Sequence, residues 1–511
     1  MPQRVRYDDT IEPLVQFIEE TPRNQIIDRT LEKLRDGVPV NTMLTASALA
    51  VTRSSDLPPG HHGGPLHPIA GIYAVAKLSE RLQGEERFLP VLQQVALANK
   101  HIHDPVTSPY ALLEFAPLDA AGGAVTQAEY LAGDGTGRIS TAHDVKTAEA
   151  TKAAFIVACN RGESNKADHL FQWLWQNIPH MEAFDLLLSI AIPKNALDDH
   201  YFIFPAFTWR AMEQVIGREY LTTLMRPSVR YTARFPAPRI MPDIDALIEK
   251  HQLLSRVMRQ RSGDDETAKI GALGEAIGAC SDYNTIPVMM AEALAGGLSL
   301  EGAGEALSIG AAGLFLRSLT GNPMDVHLHT SVNLRRYLLR LDGLSPRNKL
   351  MILLTWQTGP EVKSTQYRME PTPQPDMAAV AALPHRSQAD LLDALEHSIY
   401  TQPPTDWSTI TNLGKMIAVP EVKDTVNLAQ QYVQLGYDAE ALIQRLGRIV
   451  CHDSFTEMHA FKHHQAIVEE FYATREPWRW MHLVSGAQAA AISFGKNMEV
   501  YEGALDLLHA A

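Results

Sequence analysis

Apolar residues recur along this chain at spacings of three and four, the pattern of helices that bury one face. Ile26, Ile27, Leu31 and Leu34 form such a stripe, and Gly37 and Pro39 end it. Pro68 stands where a first-turn proline belongs, ahead of Ile72, Val75, Leu78 and Leu82. The run 185–192 is short, apolar and closed by Pro193. Further helices are predicted over 209–224, stopping before Pro227, and over 244–258, 268–277, 332–341, 389–399 and 426–446. Strand signals are few. No Asn-Gly or Asp-Gly hairpin is flanked by alternating apolar residues, and Asp134-Gly135 sits in a glycine-rich loop. The expected fold is all-α, a large multi-helix body with few or no strands and no fixed-period repeat. Small-residue or proline-rich stretches occur at 122–141, 226–242 and 361–384. The reading is one intertwined helical body over residues 1–511, with internal boundaries near 226–242 and 361–384.

Composition narrows the function classes. The chain has 511 residues, 45% of them hydrophobic and 20% charged, enough to build a sizeable core and to exclude disorder. Its 45 Lys and Arg against 59 Asp and Glu leave a formal charge of −14, which opposes binding to nucleic acid or anionic lipid. Cys159, Cys280 and Cys451 are far apart and odd in number, as in a reducing compartment, with no disulfide framework and no CxxC zinc site. The start, MPQRVRYDDT, lacks the apolar segment of a secretion signal. The most apolar stretch, 291–316, carries Glu292, Glu301 and Glu305. Each of those carboxylates would cost about 2.5–3.5 kcal/mol in a membrane span. A cytoplasmic protein with no membrane partner is expected, acting on a small molecule, with a homodimer left open.

Candidate chemistry lies in the 20 histidines. Imidazole is the commonest metal ligand and titrates near neutrality. The segment Gly60-His61-His62-Gly63-Gly64-Pro65-Leu66-His67-Pro68 holds three imidazoles beside glycines that permit a sharp turn and prolines that stiffen a helix start. Its plain alternative is an exposed polar turn. His101-Ile102-His103-Asp104 places two rings around a carboxylate that could fix a tautomer, or is a loop after a helix. His327-Leu328-His329 has the same spacing.

The densest cluster runs from Cys451 to His464. Ser454-x-x-Glu457 is a capping-box pattern, so a helix is expected to begin there. His459 and His463 would then be i, i+4 neighbours able to chelate one ion. His452 and Asp453 precede the first turn and could bend inward. Asp198-Asp199-His200 precedes an aromatic run, read as core packing rather than a pocket rim. Absent patterns matter too. There is no HExxH, no ExxH, no Walker A, no GxSxG and no GxGxxG opening a βαβ unit. Zincin, di-iron carboxylate, nucleotide-loop, hydrolase-elbow and Rossmann chemistries are disfavoured.

Three patches resemble the questin oxidase-like family: DSFTEMHAFKHHQAIVEEF from Asp453, VHLHTSVNLRRYL from Val326 with Thr330 and Asn333 at comparable places, and GHHGGPLHPIAG from Gly60. The family has one histidine where this chain has His459, and His463 and His464 depart from it. The resemblance implies an all-helical fold and oxidative chemistry of the Baeyer–Villiger type on polyketide anthraquinones, with NADPH as reductant and no flavin fold.

The expectation is an oxygenase-type oxidoreductase with a transition metal, iron by preference. His459 and His463 would be ligands, completed from His61, His62, His67 or His103. Asp453, Glu457 and His452 would be the catalytic or ring-orienting groups, with Asp104 a further candidate carboxylate. A metal-free acid–base enzyme and a helical binding protein are the competing readings.

Overall fold

The computed structural model describes the chain except residues 1–3, 57–62, 109, 115–146, 195–199, 235–242, 257–258, 319–322, 370–374, 402–421, 453–456, 495–498 and 510–511. Among the described residues there are 24 α-helices and no strand, only an isolated bridge between Arg4 and Leu113. The all-α expectation holds. Buried apolar side chains form a contiguous cluster that runs from Val5 to Ala504. No described helix is long and apolar enough to cross a membrane.

Helices position the site. They are α1 (His67–Arg81), α2 (Leu89–Ile102), α3 (His200–Ala211), α4 (Thr267–Gly278), α5 (Leu300–Arg317), α6 (His327–Arg340), α7 (His459–Ala473) and α8 (Trp480–Ser493). α1 packs on α2, α3 and α7, and α7 also packs on α6 and α8. α5 supports α6 and α8 from behind and lies tightly on α4. The α4–α5 approach is set by glycine. A Cβ on Gly310 would lie 2.4 Å from Ile277 Cγ2, and one on Gly274 would lie 2.8 Å from Ile309 Cβ. Without side chains there, the two backbones come close enough for the neighbouring isoleucines to fill the groove.

Several predicted boundaries move. The stretch 209–224 is not one helix. α3 ends in a π-turn at Met212–Ile216, Gly217 breaks the chain with φ 101°, and a new helix, Leu221–Ala233, carries Pro227 in its interior. The 244–258 helix stops at Lys250. The 426–446 stretch divides into Val422–Gln434 and Ala439–Val450, with Gly436 at φ 67° between them and Asp438 capping the second. In each case apolar residues that pack on the core resume just beyond the turn, Leu221, Leu253 and Tyr437 among them, so the pattern alone hid the break. The candidate boundary at 226–242 begins inside the Leu221–Ala233 helix. Its remainder beyond 234, and the 122–141 stretch, lie outside the described residues.

A candidate site where four helices begin

His67, His200, His327 and His459 are the first residues of α1, α3, α6 and α7. The helices are packed so that these four starts meet. The His67 ring centroid lies 5.1 Å from that of His200 and 5.1 Å from that of His459, and His327 lies 4.9 Å from His459. Imidazoles bound to one ion through nitrogens at about 2.0–2.1 Å have centroids roughly 4.5–5.3 Å apart when they are adjacent ligands. The observed spacings fall in that band. The donor atoms themselves are not converged: among the described residues no group of three or more His, Cys, Asp or Glu is arranged to hold an ion.

The turn into α1 depends on Gly63, at φ 87°. A Cβ there would meet Phe204 Cζ at 2.6 Å and His67 Nε2 at 3.1 Å. His67 is 1% exposed. Its Nε2 lies 3.0 Å from Glu457 Oε2, while Nδ1 is buried with no hydrogen-bond partner. One nitrogen is thus oriented by a carboxylate and the other left over, the arrangement that outer-shell carboxylates give to ligating histidines. Burial first, then the Lys462 charge and neighbouring rings, hold the His67 imidazole neutral, well below its usual range. The helix-start dipole acts in the same direction. Phe204 walls the site, stacked on His200 at 4.7 Å and edge-on to His67 at 5.2 Å.

Glu457 and Met458 have φ 50° and 67°, two successive left-handed non-glycine residues. Such backbone costs about 1–3 kcal/mol per residue and persists where surroundings impose it. Here it turns the Glu457 carboxylate toward His67, not back to the helix start as a capping box would. Ser454, the other half of that box, lies outside the described residues, and Met458 caps α7 without a side-chain bond. Burial pushes the Glu457 carboxyl up to about 7. Lys462, one turn into α7, is buried with no hydrogen-bond partner for Nζ, which lies 5.9 Å from the Phe207 ring centroid, and burial pulls its amine down to about 7.

A second histidine trio lies beside the first. His463 Nε2 is 3.3 Å from His329 Nδ1, and His482 of α8 lies 5.7 Å from His329, ring to ring. Phe315 of α5 covers His329 and His463 at 5.2 and 5.3 Å. Burial holds His463 near 3 and His482 near 4. α6 and α7 therefore run parallel, with His327 facing His459 and His329 facing His463. Further along the same two helices, Asn333 Nδ2 donates to Glu470 Oε1 at 2.9 Å, and Arg336 pairs with Glu470.

Of the sequence candidates, His67, Glu457 and His459 are gathered at one place. His463 is one turn away with a different partner ring. His101, in the last turn of α2, has Nε2 3.9 Å from Glu457 Oε1. The α2 helix continues through Ile102 and sends His103 away from it, with Nε2 3.0 Å from Glu19 O. Asp104 bonds the Val106 amide at 2.9 Å. His452 stacks on Tyr501 at 3.7 Å, with its ring driven to about 4 by burial, apart from the gathered set. His61, His62 and Asp453 lie outside the described residues. In sequence His200, with Asp198 and Asp199, reads as part of ordinary core packing, and Lys462 is not singled out. The available signal for His200 was position, since it begins a helical run, as His67, His327 and His459 do. Lys462 gave none. Neither the family models, the curated proteins nor the solved structures contain a match to this chain.

Proposed function

We propose that the protein is an oxygenase-type oxidoreductase in which His67, His200, His327 and His459 hold a transition metal, iron by preference, facing a small organic substrate. The observation that carries this reading is the meeting of four imidazoles, from four distant chain segments, at ligand-like ring spacing. Imidazole donors suit iron, copper, zinc and nickel. The donors would have to rearrange from the observed arrangement to converge on one ion, which imidazole torsions, being broad and soft, permit in part. Four helix starts oppose a bare cation by about 0.3–1 kcal/mol each, small beside metal-site binding energies of about 10–16 kcal/mol.

The metal would supply a position at which dioxygen is activated. The protein's own groups do the rest. Glu457 fixes the His67 tautomer through Nε2. Lys462 presents an amine that exchanges a proton near neutral pH at Nζ. Phe204 sets a flat apolar ring against His67 and His200, the kind of surface an aromatic or polyketide-like substrate would stack on. NADPH as reductant rests on the family resemblance alone.

The test is elemental analysis of untagged protein purified without added metal, with ultraviolet–visible spectra to separate haem from non-haem iron. His→Ala variants at positions 67, 200, 327 and 459 are expected to lose the metal. Three or more variants that keep full metal content would overturn the reading. The unconverged donors, with Glu457 and Lys462 both poised near 7, favour a second reading, a metal-free acid–base site. It predicts full activity after exhaustive chelation.

A further inference from the structure

The four helices that begin at the histidines meet again near their far ends, around a cleft of about 470 Å³. That volume is in the range of small-molecule sites. Four guanidiniums line it, from Arg81, Arg210, Arg336 and Arg340, against three carboxylates from Glu440, Glu469 and Glu470. The carboxylates are already engaged. Glu469 takes both oxygens' worth of Arg210 Nη2 at 2.6 Å and the Tyr73 hydroxyl at 2.5 Å. Glu470 takes Arg336, Asn333 and the Ser308 hydroxyl, and Glu440 takes the Tyr472 hydroxyl at 2.5 Å.

What the walls leave over is donors. Arg210 and Arg336 spend their Nη groups on the walls themselves and, at 5% and 2% exposed, keep their Nε–H groups sealed from the cleft, while Arg340 at the rim pairs with Glu301 on its outer side. Arg81 forms no ion pair among the described residues, and its Nη1 donates only to the neutral Gln465 Oε1 at 2.6 Å. Burial depresses the Arg81 guanidinium, as expected of a cation held without a full counter-charge. The last-turn places of Arg81, Arg210 and Arg340 account for some of this charge, because helix ends favour cations. They do not account for a partly buried guanidinium, Arg81, that lines a cleft and has only a neutral amide as partner.

We propose that this cleft binds a small molecule bearing an oxyanion, phosphate or carboxylate, held chiefly by Arg81, which has no ion pair of its own among the described residues, and by Arg340 at the rim. Guanidinium forks match the planar or tetrahedral oxygens of both groups. This site does not depend on the histidine reading, since it uses none of those rings.

The test is isothermal titration of the full chain with pyrophosphate and, separately, with succinate, each against sodium chloride at matched ionic strength. One saturable site for either probe is expected, with pyrophosphate alone assigning a phosphate ligand and succinate alone a carboxylate. In Arg81→Gln the apparent Kd should rise about tenfold, the loss of a charge-assisted hydrogen bond. If that variant does not fold, Arg340→Gln, at the exposed rim, carries the same test. The proposal fails if neither probe saturates beyond the chloride control, or if the folded variant binds as tightly as the parent.

Discussion

Glu470→Gln is the substitution whose cost the structure specifies best. Glu470 and Arg336 are each 2% exposed and join α7 to α6 a few turns beyond the paired histidines. Burial alone would raise the Glu470 carboxyl. The Arg336 charge, then His482 and the Ser308 and Asn333 hydrogen bonds, outweigh it and hold the group at about 2 against an ordinary 4.5. At 1.36 kcal/mol per pH unit, that gap is worth about 3 kcal/mol of folding stability. A second route gives a similar figure. The glutamine leaves the Arg336 charge buried and unpaired, with Nε already lacking a partner, and breaking such a pair costs about 3–5 kcal/mol.

For a 511-residue chain, an unfolding entropy of about 2.1 cal/mol/K per residue turns 3–5 kcal/mol into a fall in Tm of roughly 3–5 °C. The pH dependence has a fixed sign. The folded-state carboxyl titrates below the unfolded one, so its stabilisation is present above about 4.5 and is lost as pH falls toward about 2. The gap between parent and variant in urea denaturation should therefore be full at pH 7 and clearly smaller at pH 3. Arg336→Met combined with Glu470→Leu should recover much of the loss, because two apolar groups need no partner. A Glu470→Gln variant within about 1 kcal/mol of the parent at pH 7, or a gap that does not change between pH 7 and pH 3, would refute the reasoning.

Lys462→Met should stabilise the apo protein at pH 7 by up to about 5 kcal/mol, since burial draws the amine from 10.5 to about 7. The parent's stability should climb by about 1.4 kcal/mol per pH unit above pH 7 as the penalty is relieved, and the variant should lack that slope in urea titrations. Gly310→Ala drives a methyl to 2.4 Å from Ile277 Cγ2 and should cost about 1–3 kcal/mol or more by thermal melting. His452→Phe keeps the stack on Tyr501 and should leave both the melting temperature and any metal content unchanged; loss of metal in that variant would return His452 to the site.

The fold class was legible because helices announce themselves one at a time. The stripe at Ile26–Leu34 and the proline before Ile72 each encode a helix locally, and both are found where expected. The breaks at Gly217 and Gly436 were not, because apolar residues that pack on the core resume directly beyond them, Tyr220 and Leu221 after one and Tyr437 and Ala439 after the other. The site was legible in the same partial way. His67, Glu457 and His459 carried recognisable local patterns, glycine–proline turns and a carboxylate at the start of a helix. Their partners did not. Helical spacing pairs His459 with His463 on one helix, but with α6 and α7 parallel the ring opposite each is at the same level of the neighbouring helix, His327 for one and His329 for the other. Which level faces which is set far away, by Arg336 and Asn333 on Glu470, and no local pattern near the histidines encodes it. The register of the ion pair and the register of the rings are therefore one quantity. A one-turn slip of α7 against α6 would break the first and would set His463 against His327, so a variant that weakens Glu470 is expected to disturb the histidines while leaving every one of them in the sequence.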